Sequence, residues 1–553
     1  MPQFLHAGTL ADSGSAARQR PYTKPKPHPL MRIRNSIVFL AAAALAAAPA
    51  GAQQALPFAQ AELDAQVQRA LREFQVPGAA IAIVKDGRVV MERGFGVRRL
   101  GEAAPVDEHT LFQIASNSKA FTSAALAMLV DEGKLGWDDR VIDHLPWFRL
   151  SDPYATREFT IRDLLTHRSG MGLGAGDLLW YRSTYSPREV MERIRVVPLV
   201  TSFRSAYAYD NVLYGVAGEV VAAVSGQRWE DFVRDRMFAP LGMTESVTLA
   251  SRTPAGGNVA VPHSRFQGAL RVVRADTMDN NAAAAAIVAS VHDLARWMIA
   301  QLDSGRIAGS ERRLWSAART REMWTGVTPI PIGGGAPQLA AYTPNFHLYG
   351  LGWFLRDYRG MKVATHTGGA AGMTSRTVLV PELKLGIVML TNGESPAMTA
   401  VPWWIMDRYL GAPATDWVGG FAAAARAGEE NAAQVEARAT AGRTANTRPA
   451  LPLERYAQAY DDPMYGRATL AMEGRGLVLR FAKSPAFVAD LEHWHFDTFV
   501  ARWRDRTIPD AYVTFRLTPQ GGIGGFEMAA VSPLADFSFD YQDLHFVPAP
   551  AAR

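Results

Sequence analysis

Apolar positions along this chain recur with helical spacing in some stretches and with strand-like alternation in others, and the changes between the two divide it into parts. Ala59 to Phe74 carries apolar residues three and four apart and ends before Val76-Pro77-Gly78, which predicts an amphipathic helix. Ala79 to Val84 and Arg88 to Phe95 are apolar stretches split by Lys85-Asp86-Gly87, a hairpin signal. Ala120 to Val130 is rich in Ala and Leu, lacks Gly and Pro, and meets Gly133, so it reads as a helix. From about Asp138 to Gln338 helical segments dominate. Thr160 caps Ile161 to His167, Pro187 opens a helix through Ile194, Val212 to Val224 stops at Gly226, Trp229 to Phe238 stops at Pro240, and Ala282 to Asp303 is one long candidate. Strand text returns in Met361 to His366, Thr374 to Val380 and Lys384 to Thr391, and Trp403 to Leu410 closes this part as a helix. Strands at both ends with helices between them imply an α/β domain whose sheet is completed by distant segments, with an all-helical insertion.

Residues 416–451 change character, with many Ala, Arg and Glu and then Thr, Asn and Pro, and read as a linker with some helix. Beyond it, Ala468 to Met472, Leu477 to Phe481, Val513 to Leu517 and Phe537 to Tyr541 are short runs between Gly and Pro turns, predicting an antiparallel β-barrel or sandwich over 452–553. The first domain then covers 53–415. Ahead of it, Met31-Arg32-Ile33-Arg34 precedes an apolar run from Ile37 to Ala48 and the small residues Ala50-Gly51-Ala52. Residues 1–52 are therefore expected to be a leader with a signal peptide at about 31–52, cut after Ala52, with Met31 as the start and a periplasmic or secreted product. The run is short for a membrane span and no other stretch approaches about 18 apolar residues, so no membrane association is expected after cleavage.

Composition narrows the function classes. The formal charge is +5, from 58 Lys and Arg against 53 Asp and Glu in 553 residues. The leader holds Arg18, Arg20, Lys24, Lys26, Arg32 and Arg34 against Asp12, which leaves 52 groups of each sign in the rest. Nothing there favours nucleic acid as a partner. The chain has no cysteine, which excludes disulfides, a thiol nucleophile and a thiolate metal site.

Ser116 and Lys119 stand three residues apart at the start of the Ala120 helix, in the one Ser-x-x-Lys of a chain with eight lysines. One helical turn puts the hydroxyl and the amine on the same face. A serine attacks carbonyls poorly until a neighbour removes its proton, and a lysine does so once burial lowers its pKa from about 10.4. Backbone N–H groups of a first turn can also hold a developing oxyanion. Tyr209-Asp210-Asn211 is the one Tyr-x-Asn, and His366-Thr367-Gly368-Gly369 follows a predicted strand.

In order and approximate spacing these motifs resemble those of class C β-lactamases and the related penicillin-binding serine hydrolases and esterases. Thr160 to Gly170, Pro240 to Met243 and Asp293 to Trp297 look like text of that family too. The resemblance covers about residues 59–411. It implies an antiparallel sheet flanked by helices, as in β-lactamases and DD-peptidases, and no cofactor. By position it makes Ser116 the acylated nucleophile and Lys119 a base sharing a proton relay with Tyr209, whose phenolate character nearby cations would favour. Which of the two takes the proton stays open. Asn211 would orient Lys119 and bond the substrate carbonyl, the N–H groups of Ser116 and Gly369 would form the oxyanion hole, and Thr367 and Gly368 would line the substrate.

His366 departs from the pattern, since the β-lactamases of this fold usually carry Lys there. An imidazole with a pKa of about 6.5 is mostly neutral at pH 7, though it can donate towards Tyr209 or the substrate. The expected activity is thus hydrolysis of an ester or amide, a D-amino-acid peptide among the candidates, on a small-molecule or peptide substrate. The alternatives are a true β-lactamase or D-Ala-D-Ala carboxypeptidase, and a non-catalytic module binding cell-wall peptide. Leu491 to Phe499 looks like the lipocalin-like accessory domain of some related serine peptidases. His493 and His495 would share a strand face there, yet with no other strong ligand nearby they read as structural, and no metal site is assigned. Acyl preference is placed on the loops Gly172 to Tyr185 and Pro329 to Asn345, and oligomeric state is not readable.

Overall fold

A computed structural model of the chain describes residues 56–266 and 268–550. The leader and its predicted signal peptide lie outside the described residues. The two ends of the first domain meet in one eight-stranded antiparallel sheet, in the order Arg88–Gly96, Gly78–Lys85, Leu385–Thr391, Met373–Val380, Met361–Ala370, Phe354–Tyr358, His347–Tyr349 and Thr328–Pro329. Ala79 pairs with Thr391 across this junction. Gly78–Lys85 is buried along nearly its whole length, and its alternate residues serve two cores, as a period of two requires. Ala80, Ala82 and Val84 pack into the core that holds Leu126 and Met298, while Ala79, Ile81 and Ile83 pack with Val67, Leu71 and Trp403. Helix Val291–Leu302 thus covers one face, and helices Gln60–Glu73 and Ala397–Tyr409 cover the other.

The segment between the sheet halves is mainly helical, interrupted by two small ladders, Phe112–Gln113 with Val288–Ala289 and His263–Phe266 with Ala269–Val272. The first ladder corrects the long helix expected over Ala282 to Asp303. A single turn, Ala282–Ala285, is followed by the strand, and Ser290 then caps a separate helix by accepting from the Asp293 N–H. Pairing of Val288 with Gln113 outweighs the helix propensity of the alanines. Pro240 does not stop its helix, which runs on to Leu241 through a π turn at Arg234–Phe238. The helix capped by Thr160 ends at Leu164 instead, three residues before His167 turns left-handed with φ 54°.

Residues read as a linker form a 25-residue helix, Trp417–Ala441, whose Trp417 and Val418 are buried. The remaining chain closes an eight-stranded antiparallel barrel from Ala459–Asp462 to His545–Pro548. Buried aromatic rings, among them Tyr460, Phe499, Phe515 and Phe526, pack against one another in it. The barrel is joined to the first domain by Arg182, which meets Asp276 at 2.6 Å and Asp505 at 2.7 Å. Phe537 to Tyr541 is not the strand that its alternation suggested. It is an irregular strap ahead of a 3₁₀ turn at Tyr541–Asp543. Among the described residues no helix is long and apolar enough to cross a membrane.

Candidate active site

Strand Phe112–Gln113 leads through Ile114 and Ala115 into a 3₁₀ turn, Ala115–Asn117, and then into helix Ser118–Asp131. Ala115 carries φ 45° just ahead of Ser116, a conformation worth roughly 1–3 kcal/mol of strain for a non-glycine residue. The surroundings hold it in place. Ser375 Oγ donates to Ile114 O at 2.7 Å, and Asn117 Nδ2 donates to Ser375 Oγ at 2.8 Å. Gly368, on the strand paired with Ser375, lies so close that a Cβ there would sit 2.0 Å from Ile114 O. The His366-Thr367-Gly368-Gly369 motif therefore lies within strand Met361–Ala370 rather than after it, and Gly368 lets that strand press against the nucleophile turn.

Lys119 is fully buried. Its Nζ donates to Ser116 Oγ at 3.0 Å, to Asn211 Oδ1 at 2.7 Å and to Ala284 O at 3.2 Å, and lies 4.8 Å from the centre of the Tyr209 ring. Burial pulls its pKa down to about 7, against the charges of Asp177 and Asp210. Tyr209, also buried, lines the same cavity as Ser116, and the Ser116 hydroxyl is among the groups that act on its phenol. Burial drives its phenol well above 10, which corrects the expected phenolate: the cation near it does not offset the loss of water. Of the two candidates, the amine is the one poised to accept a proton near neutral pH.

Asn211 stands just before helix Val212–Ser225, and its Oδ1 accepts from Lys119 Nζ. Its Nδ2 donates to the buried Asp177 Oδ2 at 2.7 Å, so the amide is held from below as well as lining the site. His366 Nε2 lies 2.8 Å from the Tyr349 hydroxyl and Nδ1 lies 2.6 Å from Thr367 O. Tyr349, not Tyr209, is thus its hydrogen-bond partner. Burial and the Lys119 charge pull this imidazole to about 3, so it is neutral. His167 packs its ring 4.1 Å from that of Tyr209, and its Nδ1 accepts from the Asp210 N–H at 3.1 Å.

These groups open into a cavity of about 380 Å³ lined by Ser116, Tyr209, Asn211, Thr367, Gly368 and Gly369, with apolar walls from Leu173, Trp180, Met278, Phe354 and Met398. Tyr207 lines it too, as do Asp536, Phe537 and Ser538 of the barrel strap. Phe537 stands 5.7 Å from the Tyr209 ring, the Ser538 side chain lies beside Asp177 and favours its charged form, and Asp540 accepts from the N–H groups of Gly176 and Leu178 at 2.7 and 3.1 Å. Sequence reasoning missed Asp177, Tyr349 and the strap, because their partners lie far away in the chain. His493 and His495 make separate contacts, to Phe496 O at 2.9 Å and to the Thr444 N–H at 3.4 Å.

Residues 63–410 match the family model described as Beta-lactamase. The chain belongs to the β-lactamase family. Residues 442–548 match a second model, a domain of unknown function termed DUF3471. Within the β-lactamase family, the chain is 28% identical over 385 residues to the unguisins hydrolase ungD of Aspergillus violaceofuscus, a match spanning 64% of this chain and 65% of that protein's length. It is 29% identical over 347 residues to penicillin-binding protein 4 of Amycolatopsis lactamdurans, spanning 61% of this chain and 86% of that one. The octameric penicillin-binding protein homologue from Pyrococcus abyssi superposes with a TM-score of 0.57 at 20% identity, covering 89% of this chain and all of that one, a likeness of fold. β-Lactamase-family proteins are typically serine hydrolases, which agrees with a serine and a buried amine in hydrogen-bond contact at the floor of a cavity.

Proposed function

We propose that this protein is an exported serine hydrolase that cleaves an ester or amide with an uncharged, largely apolar acyl group through a Ser116 acyl-enzyme. The observation that carries the reading is the 3.0 Å contact between Ser116 Oγ and a fully buried Lys119 Nζ whose pKa is about 7. In its neutral form Lys119 takes the Ser116 proton as Oγ attacks the carbonyl carbon. The oxyanion is met by the N–H groups of Ser116 and Gly369. As the leaving group departs it takes a proton relayed from the Lys119 ammonium by the Tyr209 hydroxyl, and the same relay reversed activates the water that releases the acid. Asn211, anchored on Asp177, holds the amine in line.

The apolar walls support the substrate class. Among the described residues no Lys, Arg or His lines the cavity, and position 366 offers a neutral imidazole turned to Tyr349, so a substrate carboxylate finds no cation among them. That favours esters, amides and D-amino-acid peptides over β-lactams. Export is supported by the basic residues, apolar run and small residues of 31–52; mature protein starting at Gln53 would bear it out, and retention of the leader in a bacterial host would count against it.

Labelling with a fluorophosphonate, followed by turnover of p-nitrophenyl esters, D-aminoacyl anilides and nitrocefin, tests the rest. An adduct on Ser116, ester or anilide turnover lost in Ser116→Ala, and slow nitrocefin hydrolysis are expected. No adduct on Ser116 would favour a binding module, and nitrocefin as the best substrate would overturn the argument from position 366.

A further inference from the structure

A second group of ligand-type side chains gathers outside the cavity, where strand Arg88–Gly96, the loop before Phe112, the loop after Met243 and the first turn of helix Val291–Leu302 converge. One ligand atom each from His109, Glu245 and His292 lies within 4.8 Å of the other two. His109 Nδ1 is 2.7 Å from Glu245 Oε1, and the imidazole rings of His109 and His292 have centroids 4.7 Å apart with their planes at 60°.

Further partners orient these side chains. Glu245 Oε2 accepts from Ser290 Oγ at 2.5 Å, and the Glu245 backbone N–H donates to Asp293 Oδ2 at 2.9 Å. His292 Nδ1 lies 2.9 Å from Glu92 Oε2, which leaves the other ring nitrogen to ligate, in the carboxylate–histidine arrangement that aims and strengthens an imidazole ligand. Glu108 Oε1 is 3.7 Å from His109 Nε2.

Charge points the same way. Among the described residues, Glu92, Glu108 and Glu245 make ion-pair contacts with these histidines and with no Lys or Arg. Three carboxylates around two imidazoles, without a permanent cation between them, make a site that a divalent ion would balance.

We propose that His109, His292 and Glu245 bind a divalent transition-metal ion, Zn²⁺ before others, with water completing a tetrahedral shell. Two nitrogen donors and one oxygen suit Zn²⁺, whereas Mg²⁺ and Ca²⁺ take shells of oxygen alone. The site ties four segments together around strand Phe112–Gln113, whose chain reaches Ser116 three residues later. Because none of these residues lines the cavity, the ion would act on the stability of the nucleophile turn rather than on turnover.

The test uses untagged, chelator-treated full-length protein titrated with ZnCl2 by calorimetry and thermal melting, with MgCl2 and CaCl2 in parallel. One Zn²⁺ per chain at micromolar affinity or better and a raised melting temperature are expected, with no response to Mg²⁺ or Ca²⁺ and ester turnover unchanged in chelator. The double variant His109→Asn, His292→Gln should lose the binding. Should it fold poorly, Glu245→Gln serves, with affinity expected to fall about tenfold or more. No saturable Zn²⁺ binding by the parent, or undiminished binding by the variants, would overturn the proposal; the second outcome would place the ion elsewhere, such as at His493 and His495.

Discussion

Replacing Lys119 with methionine separates the cost of burying a charge from the value of the base it provides. Holding the ammonium at about 7 instead of 10.5 costs the folded protein about 5 kcal/mol wherever the amine is protonated in both states, at about 1.4 kcal/mol per pH unit. Between those two values the unfolded chain binds the proton and the folded one does not, so the Lys119 contribution to parent stability rises with pH there. From pH 7, where the folded amine is half protonated, to pH 9 that gain is about 2 kcal/mol. Methionine matches the length of the stem and carries no charge, so the gain is absent in Lys119→Met. The variant also loses the donors to Asn211 Oδ1 and Ala284 O, a cost of about 1–3 kcal/mol for each buried acceptor left unpaired, and that cost does not vary with pH in this way. Urea denaturation of parent and variant at pH 6, 7 and 9 isolates the proton-linked part. Stability of Lys119→Met relative to the parent should fall by about 2 kcal/mol between pH 7 and pH 9, while ester turnover is lost throughout. A relative stability that stays constant across this range, or one that rises with pH, would refute the depressed amine and with it the choice of Lys119 as base.

The same amine governs rate. In the parent, kcat/KM for an uncharged ester should decline as pH drops through about 7, and Asp177→Asn should move that acid limb to lower pH, because it removes a carboxylate that favours the Lys119 charge; an unmoved limb would contradict the coupling. Phe537→Ala opens the barrel side of the cavity and should raise KM for aromatic and long-chain acyl esters about tenfold while leaving acetyl esters little changed, read from a p-nitrophenyl ester series. Gly368→Ala puts a Cβ 2.0 Å from Ile114 O, so it should destabilise the protein by more than about 3 kcal/mol or displace Ser116, measured by melting and by fluorophosphonate labelling.

Much of the site was legible because its chemistry sits in short-range text. Ser116 and Lys119 are one helical turn apart, so spacing carries that pair, whereas the short Tyr209-Asp210-Asn211 and His366 to Gly369 motifs were legible through their resemblance to family text. The sheet was legible from apolar alternation at the two ends of the domain. Local pattern failed where a distant partner outweighed it. The alanines of 282–285 read as the start of a long helix, yet the pairing of Val288 with Gln113 ends it, and no local feature of Val288-Ala289 names that partner. Tyr209 was expected to be a phenolate from the charge of its neighbour, whereas its burial could be known only once Tyr349, His167 and Phe354 were packed around it.

The strap shows why a second domain can belong to a site that its sequence does not announce. Phe537-Ser538-Phe539-Asp540-Tyr541 alternates apolar and polar residues as a strand would, but Asp536 Oδ1 accepts from the Ser538 N–H at 2.9 Å and bends the chain there. The residues so exposed have their partners more than 350 positions earlier. Asp540 holds the N–H groups on either side of Asp177, and the Ser538 side chain lies beside its carboxyl. Asp177 in turn anchors Asn211, and Asn211 holds Lys119. Gly174 has φ 73° and no room for a Cβ, which would sit 2.4 Å from Phe537 O, so the loop of the first domain is shaped to receive the strap. The barrel is therefore built into both the wall of the cavity and the support of its base, and its removal should disturb the amine before it disturbs the sheet.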